Sequence, residues 1–400
     1  MKTITFFVNQ SLESPAGVGR YFPIAKNLVR MGNKVNIIAL HHNFKSLIKK
    51  YFIKDGVNVY YVGQMHVLKI GDKKIYLNKL QLIKTVLLST LKMCLMGLKL
   101  KSDIIYVFKP QPINGLAAFI TKLFKRKKLF VDCDDYEAQS NKFSSKIEKA
   151  IFVLFEDYLP KFANLITIHN SFLIKRYKNL GIKEKKIIYL PNGIEFERFN
   201  KINKDIVLKI KDKFKLKNKK IVLYFGSLSL TSGHAIDLLL RSFIIVKKKI
   251  KNSALLLVGG GEDFDSLKGY VKKTNINSVI FTGRVNKEEI PAYIKLADVS
   301  IDPVYDNLAN KCRFPLKILE SMAIGTPVIT SDVGDRKLII ENEKTGLIVK
   351  PGDEKELAQG IIKILTNKNL AKKISRSSPK SIRKYDWGKL TNKLNKIIVS

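Results

Sequence analysis

Asn310-Lys-Cys-Arg-Phe-Pro-Leu-Lys-Ile-Leu-Glu-Ser-Met-Ala-Ile-Gly-Thr-Pro-Val-Ile-Thr-Ser331 reads without a gap as loop, helix, tight turn and buried strand. Pro315 suits a first helical turn, where a missing N–H is no loss. Leu316, Leu319, Met322 and Ala323 recur at helical spacing, and Gly325 with Pro327 stops the run, which predicts a helix from Pro315 to Ile324. The amino end of such a helix offers unpaired backbone amides and the positive end of its dipole. Lys311, Arg313 and Lys317 surround that end, so it is a site for a phosphate group. One turn further in, Glu320 is a carboxylate able to accept hydrogen bonds from vicinal hydroxyls such as those of a ribose. A sugar nucleotide needs both features. An ordinary α/β helix behind a basic loop would read the same from these residues alone, so the rest of the chain has to decide.

Upstream of this stretch the chain alternates strand and helix. Ile4 to Asn9 is a compact apolar run, and Ser14-Pro-Ala-Gly-Val-Gly-Arg20 leads into a helical pattern from Tyr21 to Arg30. Gly17 and Gly19 allow close approach of backbone to a ligand, with Arg20 adding charge at the mouth, although a tight turn alone explains a Gly-x-Gly. Strands are expected at 32–40, 57–62, 103–110 and 129–137, and again at 165–169 and 187–194. Such alternation implies βαβ units and a parallel sheet. Ser171 is the expected cap of the following helix, and His169 reads as structural. Ligands of open parallel sheets sit at strand carboxyl ends, which makes Lys109, Asp132, Asp134, Asp135 and Glu137 candidates for the acceptor side of a site. The acids could instead hold Mg²⁺, but no dedicated cage is evident among them.

The second half repeats the pattern. Ile221–Leu228, Ala254–Glu262 and Val279–Val285 are strands opening into loops that carry Gly226, Gly233, Gly259 and Gly261, with Arg284 placed for a base or phosphate. Ala297–Pro303 is a fourth strand and delivers the chain to the opening stretch.

With 400 residues, 46% of them hydrophobic, the chain carries material for two domains. The formal charge of +39 and pI near 9.9 reflect a Lys excess, which arises from a compositional bias or points to an anionic partner. Aromatic residues do not interleave with the basic runs, which argues against a nucleic-acid surface. Cys94, Cys133 and Cys312 have no metal or disulfide spacing, in keeping with a reducing, cytoplasmic compartment. The start has no charged region with a cleavage site, and no run of about 18 apolar residues predicts a membrane span. Ile75–Leu100 is an apolar helical stretch with Lys84, Lys92 and Lys99 on one side. It reads either as a core helix with a solvated Lys face or as a contact with an anionic membrane surface, a theme that Lys122-Leu-Phe-Lys-Arg-Lys-Lys128 repeats.

The Phe314, Pro315, Glu320, Met322, Ala323, Gly325, Pro327 and Val328 pattern resembles the signature of family 4 glycosyltransferases. Leu190-Pro-Asn-Gly193, Thr345–Asp353 and Tyr385-Asp-Trp387 extend the resemblance over nearly the whole chain. Where the family places a first Glu near the donor sugar, this chain has Cys312. Where it places an Arg and a Lys on the donor diphosphate, it has Ser227 and Ser232, with Lys311, Arg313 or Lys317 as substitutes. The resemblance implies an α/β GT-B fold of two facing Rossmann-like domains, 1–198 on the acceptor side and 199–378 on the donor side, with 379–400 crossing back. It implies an enzyme that moves a sugar from a nucleoside diphosphate sugar to a glycan or lipid-linked hydroxyl with retention and without metal or other cofactor; the cysteine usage places it in the cytoplasm, and the basic apolar features of the first half offer it a peripheral place at the inner membrane face. The expected donor set is Gly17, Gly19, Gly226, Ser227, Gly259, Gly261, Arg284, Val285, Lys311, Arg313, Pro315, Leu316, Lys317 and Glu320. Lys109, Asp134, Lys317 and Glu320 are the expected catalytic residues. A sugar-nucleotide epimerase or an inactive homologue of the same fold is the alternative, and a basic nucleic-acid-binding protein the more distant one.

Overall fold

A computed structural model describes the chain apart from residues 15, 16, 71, 72, 141, 142, 144, 201 and 400. Pro15 and Ala16, within the Ser14–Arg20 stretch, thus lie outside the described residues. The chain forms two compact units, Met1–Gly193 with Trp387–Ser400, and Ile194–Asp386.

Unit 1 runs through β1 (Thr3–Val8), α1 (Phe22–Arg30), β2 (Lys34–His41), β3 (Tyr51–Lys54), β4 (Val57–Gln64), β5 (Val67–Ile70), β6 (Lys73–Tyr76) and α2 (Lys79–Lys99). It continues through β7 (Ile104–Phe108), α3 (Pro112–Lys125), β8 (Lys128–Cys133), α4 (Glu137–Ser140), α5 (Lys146–Tyr158), β9 (Leu165–Ile168), α6 (Ser171–Asn179) and β10 (Ile187–Tyr189). Its eight-stranded sheet has the order β10-β9-β8-β7-β1-β2-β4-β3, parallel except for the edge strand β3. The central strands are buried along their length, as expected of a sheet covered on both faces. Order reverses between β1 and β7, which places the unit's crevice beside Asn9 and Lys109.

Unit 2 runs through α7 (Glu197–Asn200), α8 (Lys204–Lys213), β11 (Lys220–Phe225), α9 (Ile236–Lys249), β12 (Ser253–Val258), α10 (Phe264–Lys273), β13 (Val279–Gly283), α11 (Ile290–Leu296) and β14 (Val299–Asp302). Then come α12 (Leu308–Lys311), α13 (Leu316–Ile324), β15 (Val328–Ser331), α14 (Arg336–Ile339), β16 (Leu347–Val349), α15 (Glu354–Thr366) and α16 (Lys368–Ser381). The sheet is fully parallel, in the order β13-β12-β11-β14-β15-β16, and reverses between β11 and β14. The last helix, α17 (Trp387–Val399), belongs to unit 1, where Trp387 and Leu394 join the core formed by Tyr21, Leu28 and Tyr106.

Several local expectations need correction. The unit boundaries fall at 193/194 and 386/387 rather than at 198/199 and 378/379. Ile194 N–H donates to Tyr385 O at 2.9 Å, and Phe196, Phe199, Ile382 and Tyr385 pack on Phe314, Ile318 and Met322, so unit 2 holds both flanks. Asn170, not Ser171, caps α6, its side chain accepting from Leu173 N–H. Residues 75 and 76 belong to β6, and α2 begins only after Asn78, which forms a capping box with Gln81. The antiparallel β3 edge and the β5–β6 hairpin carried no clear signal in the sequence.

Candidate active site

The rim of unit 2 is set by the loops that leave β11 and β12. They are bonded to each other: Gly226 N–H donates to Val258 O, Leu228 N–H to Gly260 O and Asp263 N–H to Leu228 O. Gly259, at φ +138°, lies so close that a Cβ would stand 2.0 Å from Gly226 O, and one on Gly261 would stand 2.3 Å from Leu228 O. These two glycines therefore make room for neighbouring backbone. Gly226 differs. Its φ is +137°, and a Cβ there would meet the Nζ of Lys317 at 3.2 Å.

Lys317 stands in the first turn of α13, directly after Pro315 at the cap and Leu316 at the first helical position. Its side chain is 13% exposed and its Nζ has no hydrogen-bond partner among the described residues. The nearest anion, Asp302 Oδ1, is 3.8 Å away, and the Tyr224 ring centroid lies 4.3 Å from the ammonium. Burial lowers its pKa to about 8, an effect that Arg336 and Arg313 reinforce and Asp302 opposes. Asp302 itself, at the end of β14, is fully engaged: Arg336 Nε and Thr330 Oγ1 each donate to it at 3.0 Å. Burial alone would raise its pKa, but the Arg336 and Lys317 cations outweigh that and hold it below the usual value.

Arg313 reaches the same loop from the other side. Its Nη1 donates to Ser232 O and lies where a Cβ on Gly233 would meet it at 3.2 Å. Ser227 O accepts from Tyr224 OH at 2.7 Å. The cations Arg313 and Lys317 thus gather at the loop where Ser227 and Ser232 stand, at the amino end of α13. His234, whose pKa is driven well down by burial, Lys317 and Arg313, completes the group as a neutral imidazole. Lys311 does not join it, since its ammonium pairs with Asp306 at 2.9 Å in an exposed bridge. Cys312 is fully buried.

Glu320 lies one turn along α13, and burial raises its pKa against the pull of Arg198 and Lys317. Arg198 Nη1 is 3.7 Å from Glu320 Oε1, and the guanidinium also donates to Lys287 O at 3.2 Å. Arg284 is exposed after β13, while Val285 packs into the unit's core beside β11 and α11. Sequence reasoning missed Tyr224, His234, Asp302, Arg336 and Arg198. Only the places of Tyr224 and Asp302 at strand carboxyl ends, and of His234 in the loop after β11, could have signalled the first three.

Unit 1 carries a second charged group at its own crevice. Lys109, in the left-handed region at φ +57°, places Nζ 2.5 Å from Glu137 Oε1, 2.8 Å from Asp135 Oδ2 and 3.6 Å from Asp134 Oδ1. Burial disfavours its charge, but the three carboxylates prevail and push its pKa well up. Asp134 Oδ1 has no hydrogen-bond partner, and burial pushes the Asp134 carboxyl up to about 8. Asp134, Asp135 and Glu137 bring ligand atoms within 4.8 Å of one another, and the Lys109 ammonium takes the position a cation would need. Glu13, His41 and His42 also converge. Asn43 N–H donates to His41 Nδ1 at 3.0 Å, so a neutral His41 carries its proton on Nε2, facing Glu13 at 3.5 Å as a donor rather than a ligand.

Three unit 1 residues change role. Arg20 is buried and bidentate to Asp132, at 2.7 Å on both oxygens, and donates to Leu190 O and Asn192 Oδ1. Arg20 and Asp132 are therefore a structural pair, not mouth charges. A Cβ on Gly17 would stand 2.4 Å from Leu12 O, so this glycine serves the turn before α1. Gly19 lies in the same turn.

Two doubly wound units, the second with a cationic helix start at its strand switch point, are the elements of the GT-B fold. Residues 207–381 match the family described as Glycosyl transferases group 1. An uncharacterised glycosyltransferase of Methanocaldococcus jannaschii is 28% identical over 298 residues, 71% of each chain. A GDP-mannose-dependent alpha-(1-6)-phosphatidylinositol monomannoside mannosyltransferase of Mycobacterium tuberculosis is 26% identical over 211 residues, 52% of this chain and 54% of its own, so the match spans about half of that relative. Anabaena HepE, solved in complex with UDP-glucose, superimposes with a TM-score of 0.75 at 17% identity over the full length of both chains, which establishes the shared fold.

Proposed function

We propose that the protein transfers a glycosyl group from a nucleoside diphosphate sugar to a hydroxyl of a glycan or lipid-linked saccharide, with retention and without a resident metal. The observation that carries this reading is the buried Lys317 ammonium, which lacks a hydrogen-bond partner beneath Gly226 at the amino end of α13. Burying an unbonded cation is costly, and a diphosphate oxygen would supply the missing partner. Arg313, at Ser232, would take the second phosphate, so the cations that the Ser227 and Ser232 positions lack come from the opposite side of the loop. The C1–O bond to the diphosphate breaks with its electron pair going to the phosphate oxygen. The acceptor oxygen bonds to C1, and its proton passes to the departing diphosphate. Lys317 and Arg313 stabilise the charge that develops on that diphosphate, an electrostatic role of the oxyanion-hole type. Glu320 accepts the ribose hydroxyls, and Lys109 with Asp134 handles the acceptor in unit 1.

The named substrates of the mycobacterial relative and the UDP-glucose bound to HepE support a sugar nucleotide as donor. The lipid substrate in the mycobacterial name supports a lipid-linked acceptor, met at the inner face of the cell membrane. Cys94, Cys133 and Cys312 are buried and form no disulfide among the described residues, which suits the cytoplasm. Calorimetric titration with UDP- and GDP-sugars, followed by transfer of radiolabelled sugar to lipid and glycan acceptors, tests the reading. An epimerase would convert the donor sugar without consuming acceptor, and an inactive homologue would do neither. Sugar-nucleotide affinity that survives in the double variant Arg313→Ala/Lys317→Ala would refute the assignment of the site.

A further inference from the structure

We propose that the outer face of α2, α3 and α5 in unit 1 is a docking surface for an anionic lipid bilayer, with a headgroup-binding hollow at its edge. The face is inverted relative to a soluble helix layer. α2 turns Ser89, Met93 and Gly97 inward and exposes Leu80, Ile83, Leu87, Leu91 and Leu95. The inward choice follows from close packing: a Cβ on Gly97 would stand 2.5 Å from the Phe7 ring, and Ser89 Oγ donates to Gln64 O at 2.9 Å. Only a small or slender side chain fits there, so the leucines must face outward. α5 repeats the pattern with Ile147, Ile151, Leu154 and Tyr158, a single stripe at helical spacing. α3, which contacts both helices, adds Leu123 and Phe124, the latter 76% exposed. Scattered exposed leucines are ordinary, but stripes on adjoining helices of one layer are not.

Charge selects the occupant. On a helical projection Lys84, Lys92 and Lys99 share the arc of the exposed α2 leucines rather than opposing it. Beside Leu123, the side chains of Lys122, Arg126, Lys127 and Lys128 line an open hollow of about 350 Å³ with Asn164. Among the described residues no carboxylate pairs with Arg126, Lys127 or Lys128. Apolar stripes carrying cations, next to an unpaired basic hollow, match the acyl boundary and phosphate layer of an anionic leaflet. A second copy of this chain would need a carboxylate-rich surface, which a net charge of +39 does not readily provide. α2 is long and apolar enough to cross a membrane by length and composition alone, although Lys84 and Lys92 interrupt its apolar run, as the sequence led one to expect. It packs along β2, β4 and α3, however, so it lies on the bilayer and does not span it. The inference deepens the lipid-linked acceptor reading and rests on it only for the choice of membrane face.

The test is co-sedimentation of the full chain with vesicles of phosphatidylcholine alone and of phosphatidylcholine with phosphatidylglycerol. Strong binding to the anionic vesicles and weak binding to the neutral ones is expected. Arg126→Asn/Lys127→Gln should weaken anionic binding roughly thirty-fold, the factor expected for two cations near a charged leaflet. Leu87→Gln/Leu91→Gln/Leu95→Gln should weaken it roughly a hundredfold or more. Both variants alter exposed side chains, so their thermal unfolding should match that of the parent chain. Equal binding to both vesicle types, or binding unchanged in both variants, overturns the proposal. So does absence of sedimentation with a dimer on gel filtration that the leucine variant dissolves. No sugar nucleotide is present, so a negative result leaves the transferase reading standing, and failed sugar transfer leaves docking standing.

Discussion

Replacing Lys317 with Met keeps the length of the side chain and removes its charge, and the apo protein should become more stable while losing its donor. At neutral pH the folded chain carries this ammonium against burial. The gap between its ordinary value of 10.5 and about 8 is worth about 3 kcal/mol. That gap already counts the pull of Asp302, which keeps Arg336 and Thr330 at 3.0 Å, and set against it is about 1–2 kcal/mol for the changed shape of a buried side chain. A net stabilisation of about 1–2 kcal/mol should raise the melting temperature by about 2–8 °C for a unit of this size. Affinity for the free nucleoside diphosphate should fall about 30- to 150-fold, the loss of one charge-assisted contact worth about 2–3 kcal/mol. Differential scanning calorimetry without ligand and isothermal titration with UDP and GDP measure the two effects separately. A lower melting point with unchanged nucleotide affinity would mean that Lys317 is a structural cation held by Asp302, and the argument for the site would fail.

The same group sets a pH dependence of opposite sign for binding and folding. Nucleoside diphosphate affinity should hold below about pH 8 and then weaken by up to about tenfold per pH unit as Lys317 loses its proton. Between about pH 8 and 10.5 stability to urea should rise on this account, because the unfolded chain there binds a proton that the folded one has released. Asp134, pushed up to about 8, works the other way: the folded chain keeps a proton that the unfolded one gives up. Its contribution to stability should therefore decline from about pH 4 to about pH 8, and Asp134→Asn should flatten that decline in urea titrations. Gly259→Ala should destabilise unit 2 by about 3 kcal/mol or more, since its Cβ would collide with Gly226 O at a φ that L residues avoid, and guanidinium denaturation would register it. Arg20→Met should cost about 3–5 kcal/mol by stranding the Asp132 carboxylate, with part regained in the double variant Arg20→Met/Asp132→Asn.

What could be read from the sequence was whatever depends on neighbours along the chain. The helix 316–324, its stop at Gly325 in the left-handed conformation, and the strands of both sheets other than β3 and β16 follow from local periodicity and turn chemistry. So did the gathering of Arg313 and Lys317 near one helix start, because both lie within a few residues of it. What could not be read depends on partners far away. Arg20 looks like a charge at a loop mouth until Asp132, 112 residues on, takes both ends of its guanidinium. Glycines after β12 look like ligand clearance until the β11 loop is found occupying the space. The apolar content of α2 says that one face is buried without saying which. That choice was made by Gly97 against Phe7, and it sent the leucines outward. The same limit separates Lys317 from Lys311: six residues apart and alike in sequence, one pairs with Asp306 at the surface. The other is buried, 3.8 Å from an Asp302 that Arg336 also holds, and has no hydrogen-bond partner among the described residues. Spacing could nominate both, but only desolvation distinguishes a cation already neutralised by its own chain from one that still requires an anion.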